Sequence, residues 1–311
     1  MTVLVVGTGP IGIEYTRILK SMNIEVLALG RGEQNCIKFK RETGVDAISG
    51  GIEKIDILPS LPKRAIVAVG EAQLGIVAKY LITKGVKHLL IEKPGGSSLQ
   101  EIREIEELSA KRSAEISIAY NRRFYASTLE AQKIINEDGG VTSFNFEFTE
   151  WSHQIEPLVK EDGVKETWFL HNSTHVVDLA FHLGGWPNKL YPVSSGQLTW
   201  HPYARYAGAG TTYSGALFSY FADWQGPGRW GIELVTLKNR LILRPLEKLA
   251  VQKIGSLVIE QIDLNDRIDI EYKPGYYSQV DLFLNNQSEL LSLREHLSHL
   301  EVFNNMSPIR S

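Results

Sequence analysis

The apolar positions of this chain fall into two regimes. In the N-terminal third, short wholly apolar runs at 3–6, 25–29, 65–69, 88–91 and 115–119 read as strands buried on both faces. Between them the apolar residues recur at helical spacing. Ile11, Tyr15, Ile18, Leu19 and Met22 follow Pro10, a residue that suits the first turn of a helix. Further helices are expected over 34–43, 74–84 and 98–112. Gly85 closes the second as a C-cap, and Ser98 stands near the start of the third. Regular alternation of strand and helix predicts a parallel sheet with right-handed crossovers.

The pattern changes near residues 120–125. Strands are expected at 141–149, 190–200, 213–220, 231–237, 240–244, 248–254 and 256–262, with helices only at 173–183 and 276–303. Strands that succeed one another with few helices between them favour a largely antiparallel sheet. The expectation is an α/β chain of two domains, 1–121 and 122–311. No internal repeat and no low-complexity segment interrupts it.

Composition narrows the field. The chain has 311 residues, 43% of them hydrophobic, enough for two cores. A net charge of −3 with no Lys/Arg tract argues against a nucleic-acid surface. The single cysteine, Cys36, permits no disulfide within the chain. No apolar run reaches the roughly 18 residues that span a bilayer, and no secretory signal is expected ahead of the first strand. A cytoplasmic protein without membrane or nucleic-acid partners is the expectation.

The first strand runs into Gly7-Thr8-Gly9-Pro10-Ile11-Gly12. In such a turn the first glycine permits the tight bend. The second admits a pyrophosphate close to the backbone, and the third lets helix and strand pack. The helix N-terminus then offers N–H groups and a partial positive charge. Strand before and amphipathic helix after are the context that gives this fingerprint meaning. A dinucleotide cofactor is therefore expected on a Rossmann domain. At the end of the second strand an NAD enzyme usually carries Asp or Glu for the ribose 2′-hydroxyl. Here the chain reads Ala28-Leu29-Gly30-Arg31. A small residue leaves room for a 2′-phosphate, and a guanidinium can grip it with two hydrogen bonds. NADP is expected in preference to NAD.

Four further segments complete a set: Glu92-Lys93-Pro94, Tyr120-Asn121-Arg122-Arg123-Phe124, His175-Val176-Val177-Asp178 and Gly275-Tyr276-Tyr277-Ser278-Gln279. Together with the glycine turn, and in this order, they resemble the Gfo/Idh/MocA oxidoreductases, the relatives of glucose–fructose oxidoreductase and inositol dehydrogenase. The resemblance implies a C-terminal α+β domain with an open, mostly antiparallel sheet. It implies an NAD(P)-dependent dehydrogenase or reductase acting on a carbohydrate or sugar-derived hydroxyl or ketone. The alternatives are a redox-neutral glycosidase or epimerase with tightly held cofactor, and a cofactor-binding regulator without catalysis. Homodimer or homotetramer formation is expected through the exposed face of the second sheet.

By the same resemblance Lys93 is the catalytic lysine, aimed by the turn at Pro94, and His175 the second catalytic group. An ammonium stabilises a developing alkoxide or shuttles its proton, and an imidazole titrates near neutrality. Glu92 orients Lys93 or contacts the cofactor. Asn121 approaches its nicotinamide end, and Val69 and Gly70 lie along it where the family often carries Thr-Pro. Substrate contacts are expected from Tyr120, Arg123, Asp178, Trp151 and Trp168, the indoles because aromatic faces suit sugar rings. Arg122 and Arg123 bind cofactor phosphate or tie the domains together. His171 stands four residues before His175, where the family often has Asp. His171, His175, Asp178 and His182 would share a face if one helix carried all four. His171 is expected to meet substrate as an imidazole, with no metal, and His182 to be structural.

Overall fold

A computed structural model of the chain describes residues 1–308. The chain divides into two compact units. One comprises Met1–Asn121 and Glu271–Ser298, the other 122–270 with the C-terminal residues from His299 onward. Among the described residues no helix is long and apolar enough to cross a membrane.

The first unit follows the alternation in its sequence: β1 (Thr2–Val6), α1 (Pro10–Ser21), β2 (Glu25–Gly30), α2 (Glu33–Thr43), β3 (Ala47–Ser49), β4 (Arg64–Val67), α3 (Leu74–Lys84), β5 (His88–Glu92), α4 (Leu99–Arg112) and β6 (Glu115–Ala119). The six strands form one parallel sheet in the order β3-β2-β1-β4-β5-β6. Leu4, Ile66 and Leu90, at its centre, are fully buried. Gly85 adopts the left-handed conformation at the end of α3 (φ 100°), and the Ser98 hydroxyl caps α4 through the Glu101 amide at 3.1 Å. The short edge strand β3 had no sequence expectation. Its three residues lack an apolar run.

The second unit contains α5 (Ala126–Glu137), β7 (Ser143–Glu147), α6 (Ser152–Ile155), a π-helical turn (Phe169–Ser173), α7 (Thr174–Gly184), β8 (Pro187–Ser195), β9 (Arg205–Thr212), β10 (Leu217–Asp223), β11 (Gly231–Val235), β12 (Asn239–Leu243), β13 (Ala250–Lys253) and β14 (Glu260–Gln261). Its eight-stranded sheet runs β14-β13-β12-β11-β7-β10-β9-β8 and is antiparallel except where β7 pairs with β10. Helix α7 lies on this sheet. The Phe181 ring meets Phe144, Phe146 and Phe218 edge-on at 5.2–6.1 Å, which fixes the helix that carries His175.

Three expected strands differ. The strand over 213–220 is a hairpin of β9 and β10 turning at 213–216. A side chain at Gly208 or Gly210 would strike the Tyr220 or Phe218 ring, so β9 uses small residues that carry no strand signal. The strand over 190–200 is shifted back to Pro187–Ser195, and that over 256–262 shrinks to two residues. Helix α5 was not anticipated.

The helix over 276–303 is two helices, α9 (Tyr276–Asn285) and α10 (Leu293–Met306), preceded by the short α8 (Arg267–Glu271). The break inserts Gln287, whose amide donates to the Glu115 carbonyl and the Ser117 hydroxyl, both at 3.2 Å. The Leu291 carbonyl then accepts from Ile118 N–H at 2.9 Å. This stretch caps the exposed edge of β6. Such pairing is why 271–298 packs with the first unit, although its sequence position groups it with the second domain.

Candidate functional site

Each glycine of the N-terminal turn has a separable physical role. Gly7 is left-handed (φ 119°), and a Cβ there would lie 2.1 Å from the Ala68 carbonyl oxygen. A Cβ on Gly12 would lie 1.8 Å from the Gly7 carbonyl oxygen. These two are required by the fold itself. At Gly9 the chain is extended (φ −77°) and a Cβ would meet nothing within 4 Å. Gly9 is also the N-cap of α1 and supplies no side-chain hydrogen bond, so the N–H groups of Ile11 and Gly12 face outward. The protein leaves open space there, with donors at a positive helix end. A dinucleotide pyrophosphate fits it.

Gly30, the last residue of β2, has a packing explanation that the sequence did not suggest. A Cβ would lie 2.4 Å from Thr8 Oγ1 and 2.5 Å from Cys36 Sγ. The position is filled by neighbouring side chains, so its smallness does not by itself make room for a phosphate. Arg31 follows it and is exposed. Val69 and Gly70 follow β4 and are accessible.

Glu92 ends β5 and Lys93 follows it, joined to Pro94 by a cis peptide. Glu92 accepts from Tyr15 Oη at 2.8 Å and from Tyr276 Oη at 3.2 Å. Burial pushes the Glu92 carboxyl above its usual range, against the pull of the Tyr15 hydrogen bond and the Lys93 charge. Tyr15 Oη also lies 3.2 Å from Gln279 Oε1. The Pro94 carbonyl accepts from His296 Nε2 at 2.9 Å, and the His296 ring lies 5.5 Å from that of Tyr120. Asn121 donates to the Pro274 carbonyl at 2.9 Å. Tyr15 and His296 were invisible as site residues in the sequence. Tyr15 reads as an apolar helix position and His296 lies beyond every motif. Tyr276 and Gln279 sit within the Gly275–Gln279 motif, which was their only signal.

In the second unit His175 lies in the first turn of α7, and His171 in the π-helical turn before it. Both are almost fully buried. The four spaced residues therefore do not share one regular α-helical face. Asp178 accepts from Arg123 Nε at 2.8 Å and Nη2 at 2.7 Å, and both side chains are buried. His299 approaches Asp178 at 3.9 Å and stacks on Trp186 with centroids 3.3 Å apart. Arg123 and Asp178, expected to touch substrate, are joined to each other. His182 meets Gln132, and burial lowers its pKa to about 3. Among the described residues no three His, Cys, Asp or Glu side chains are placed to hold a metal.

Glu150, just beyond β7, was not anticipated. It is buried and accepts from Asn172 Nδ2 at 2.9 Å, Ser173 Oγ at 2.8 Å and Arg229 Nη1 at 3.2 Å. Burial raises its pKa. Trp151 is 39% exposed; its Nε1 donates to the Gly228 carbonyl at 2.7 Å, and Arg229 lies over its ring at 5.0 Å. Trp168 instead packs edge-on against Trp200 at 6.2 Å, inside an aromatic cluster. The Trp230 ring lies 6.4 Å from that of His175.

No protein-family model matches the sequence, and neither does any curated protein. Solved structures do match in fold. Levoglucosan dehydrogenase, in complex with NADH and levoglucosan, aligns with TM-score 0.79 at 15% identity, over 99% of this chain and 96% of its own. UDP-N-acetylglucosamine 3-dehydrogenase from Acidithiobacillus ferrooxidans aligns with TM-score 0.77 at 14% identity, over 99% and 97%. An oxidoreductase from Agrobacterium radiobacter, in complex with NAD+, L-tartaric acid and magnesium, aligns with TM-score 0.77 at 12% identity, over 100% and 97%. At these identities the likeness is one of fold: a parallel Rossmann-type sheet and a second, mostly antiparallel sheet.

Proposed function

We propose that this chain is a nicotinamide-dependent oxidoreductase of the Gfo/Idh/MocA type, a dehydrogenase or reductase acting on a hydroxyl or carbonyl carbon of a carbohydrate-like substrate. The observation that carries this reading is Gly9. It opens onto unfilled space at the uncapped end of α1, while Gly7 and Gly12 are held by sterics. Fold likeness to sugar dehydrogenases supports it.

In this reading the first unit holds the cofactor and the second the substrate. Gly7, Thr8, Gly9, Pro10, Ile11 and Gly12 cradle the pyrophosphate. Val69, Gly70, Glu92 and Asn121 line its course. Exposed Arg31 favours NADP over NAD through the 2′-phosphate, now without help from Gly30. When bound, the nicotinamide supplies hydride donor or acceptor. Lys93 and His175 hold and move the substrate proton, and buried Glu92 sets the field around Lys93. His171 contacts substrate as an imidazole, and Trp151 offers a ring face to it. The outward face of the eight-stranded sheet, with Tyr191, Val193, Leu217 and Phe221 exposed, joins copies into a homodimer or homotetramer.

The test is titration of the protein with NADPH and NADH, followed by turnover assays against a panel of sugars and keto-sugars. Micromolar cofactor binding with hydride transfer to or from one panel member is expected. Cofactor carried through purification with no net redox turnover would replace this reading with a redox-neutral enzyme. Binding without any turnover would replace it with a regulator.

A further inference from the structure

The surroundings of His175 hold more positive charge than a neutral sugar calls for. Arg122 and Arg229 both lie over the Trp230 ring, their Cζ atoms 4.8 and 4.7 Å from its centroid. Arg229 also lies over Trp151 at 5.0 Å. Two like charges on one indole repel, and the arrangement gathers cationic forks beside the histidine. Arg229 is balanced only in part. Glu150 faces it with Oε2 alone, since Oε1 is taken by Asn172 and Ser173. Among the described residues Arg122 has no carboxylate within ion-pair distance. The Arg229 side chain is 47% exposed and the Arg122 residue partly so, so each is open to solvent.

We propose that Arg122 and Arg229 form a recognition site for an anionic group, a carboxylate or a phosphate, carried by the substrate whose reacting carbon lies at His175. This rests on the oxidoreductase reading only in placing the reacting carbon there. Guanidinium groups match the geometry of both anions through paired N–H donors, and an ammonium does not. The indole faces beneath the forks limit their rotation, which lowers the entropic cost of binding. The substrates selected are sugar acids or sugar phosphates. A neutral sugar of the same ring would leave Arg122 without a counter-charge and Arg229 balanced only by Glu150, and the site discriminates against it.

The experiment is isothermal titration of the intact protein with D-glucuronate, D-glucose 6-phosphate and D-glucose, at low and raised salt. Wild type is compared with Arg122→Gln, Arg122→Lys and Arg229→Gln, each checked for fold by circular dichroism. At least one anionic probe should bind about tenfold or more tightly than glucose, and more weakly as salt rises. Arg122→Gln should remove that preference, and Arg122→Lys should restore part of it. The probe that binds distinguishes carboxylate from phosphate. Equal binding of all three probes, failure of both anions to bind, or an unchanged preference in Arg122→Gln would overturn the proposal. Arg229→Gln disturbs Glu150 as well, so Arg122 decides the outcome. The readout needs no turnover. Absence of hydride transfer counts against the oxidoreductase reading alone, and turnover of neutral sugars without anion preference counts against the anion site alone.

Discussion

Arg123 grips both carboxylate oxygens of Asp178, at 2.8 and 2.7 Å, with the two side chains 7% and 1% exposed. The pair joins the turn that enters the second unit to the helix bearing His175. A bidentate pair buried this deeply tolerates loss of one partner poorly, because the other charge is left without compensation. Asp178→Asn and Arg123→Leu should each destabilise the protein by roughly 3–5 kcal/mol. Arg123→Met with Asp178→Leu should recover much of that loss. Urea denaturation of all three variants checks it. A double variant no more stable than either single would refute the account.

Gly9 and Gly12 should separate function from fold. Gly12→Ala places a methyl 1.8 Å from the Gly7 carbonyl, so the thermal midpoint should fall by several degrees. The Cβ of Gly9→Val meets no protein atom within 4 Å. The variant should melt close to wild type yet lose dinucleotide binding by at least about tenfold. Retention of full cofactor affinity in Gly9→Val would remove the pyrophosphate from this turn.

Arg31 should be felt by one cofactor only. Arg31→Ala is expected to raise the Kd for NADPH about tenfold or more, the loss of a charge-assisted contact, and to leave NADH nearly unchanged. Equal weakening of both would point instead to packing on the adenosine they share.

Lys93→Met and His175→Ala should each lower kcat by roughly 10²–10⁴-fold, the usual contribution of a general acid–base group, with little change in cofactor Kd. The double variant should fall short of the product of the two losses, since groups acting as a unit are not additive. Near-normal kcat in either single variant would mean that the proton travels elsewhere.

Acid should unfold the second unit through its buried histidines. Burial lowers His182 from 6.5 to about 3 and His201 from 6.5 to about 4. Folded, both rings stay neutral below the pH at which the unfolded chain takes up protons. Their contribution is therefore intact above pH 6.5 and is lost progressively as pH falls toward 4 and then 3. His182→Gln should flatten this loss relative to wild type in urea melts between about pH 7.5 and 4.5, an interval that spans the upper part of the window. Identical pH dependence in the two proteins would contradict it.

The sequence by itself determined what local repetition encodes. Apolar runs and helical spacing located nearly every element of the first sheet, and the glycine turn and Lys93 could be placed at the ends of particular strands. The two domain styles were legible because a change in strand spacing is a local signal. Only the tertiary structure decided which residues meet. Gln287 breaks a helix to satisfy the edge of β6, and the reason lies 170 residues away in Ser117. Gly30 is small because Thr8 and Cys36 occupy the space beside it. Arg123 and Asp178, each read as facing substrate, are spent on one another across 55 positions. Glu150, Arg122 and Arg229 acquire meaning only where folding gathers them around Trp230 and His175. A sequence displays neighbours along the chain, and burial, charge pairing and steric exclusion act between neighbours in space.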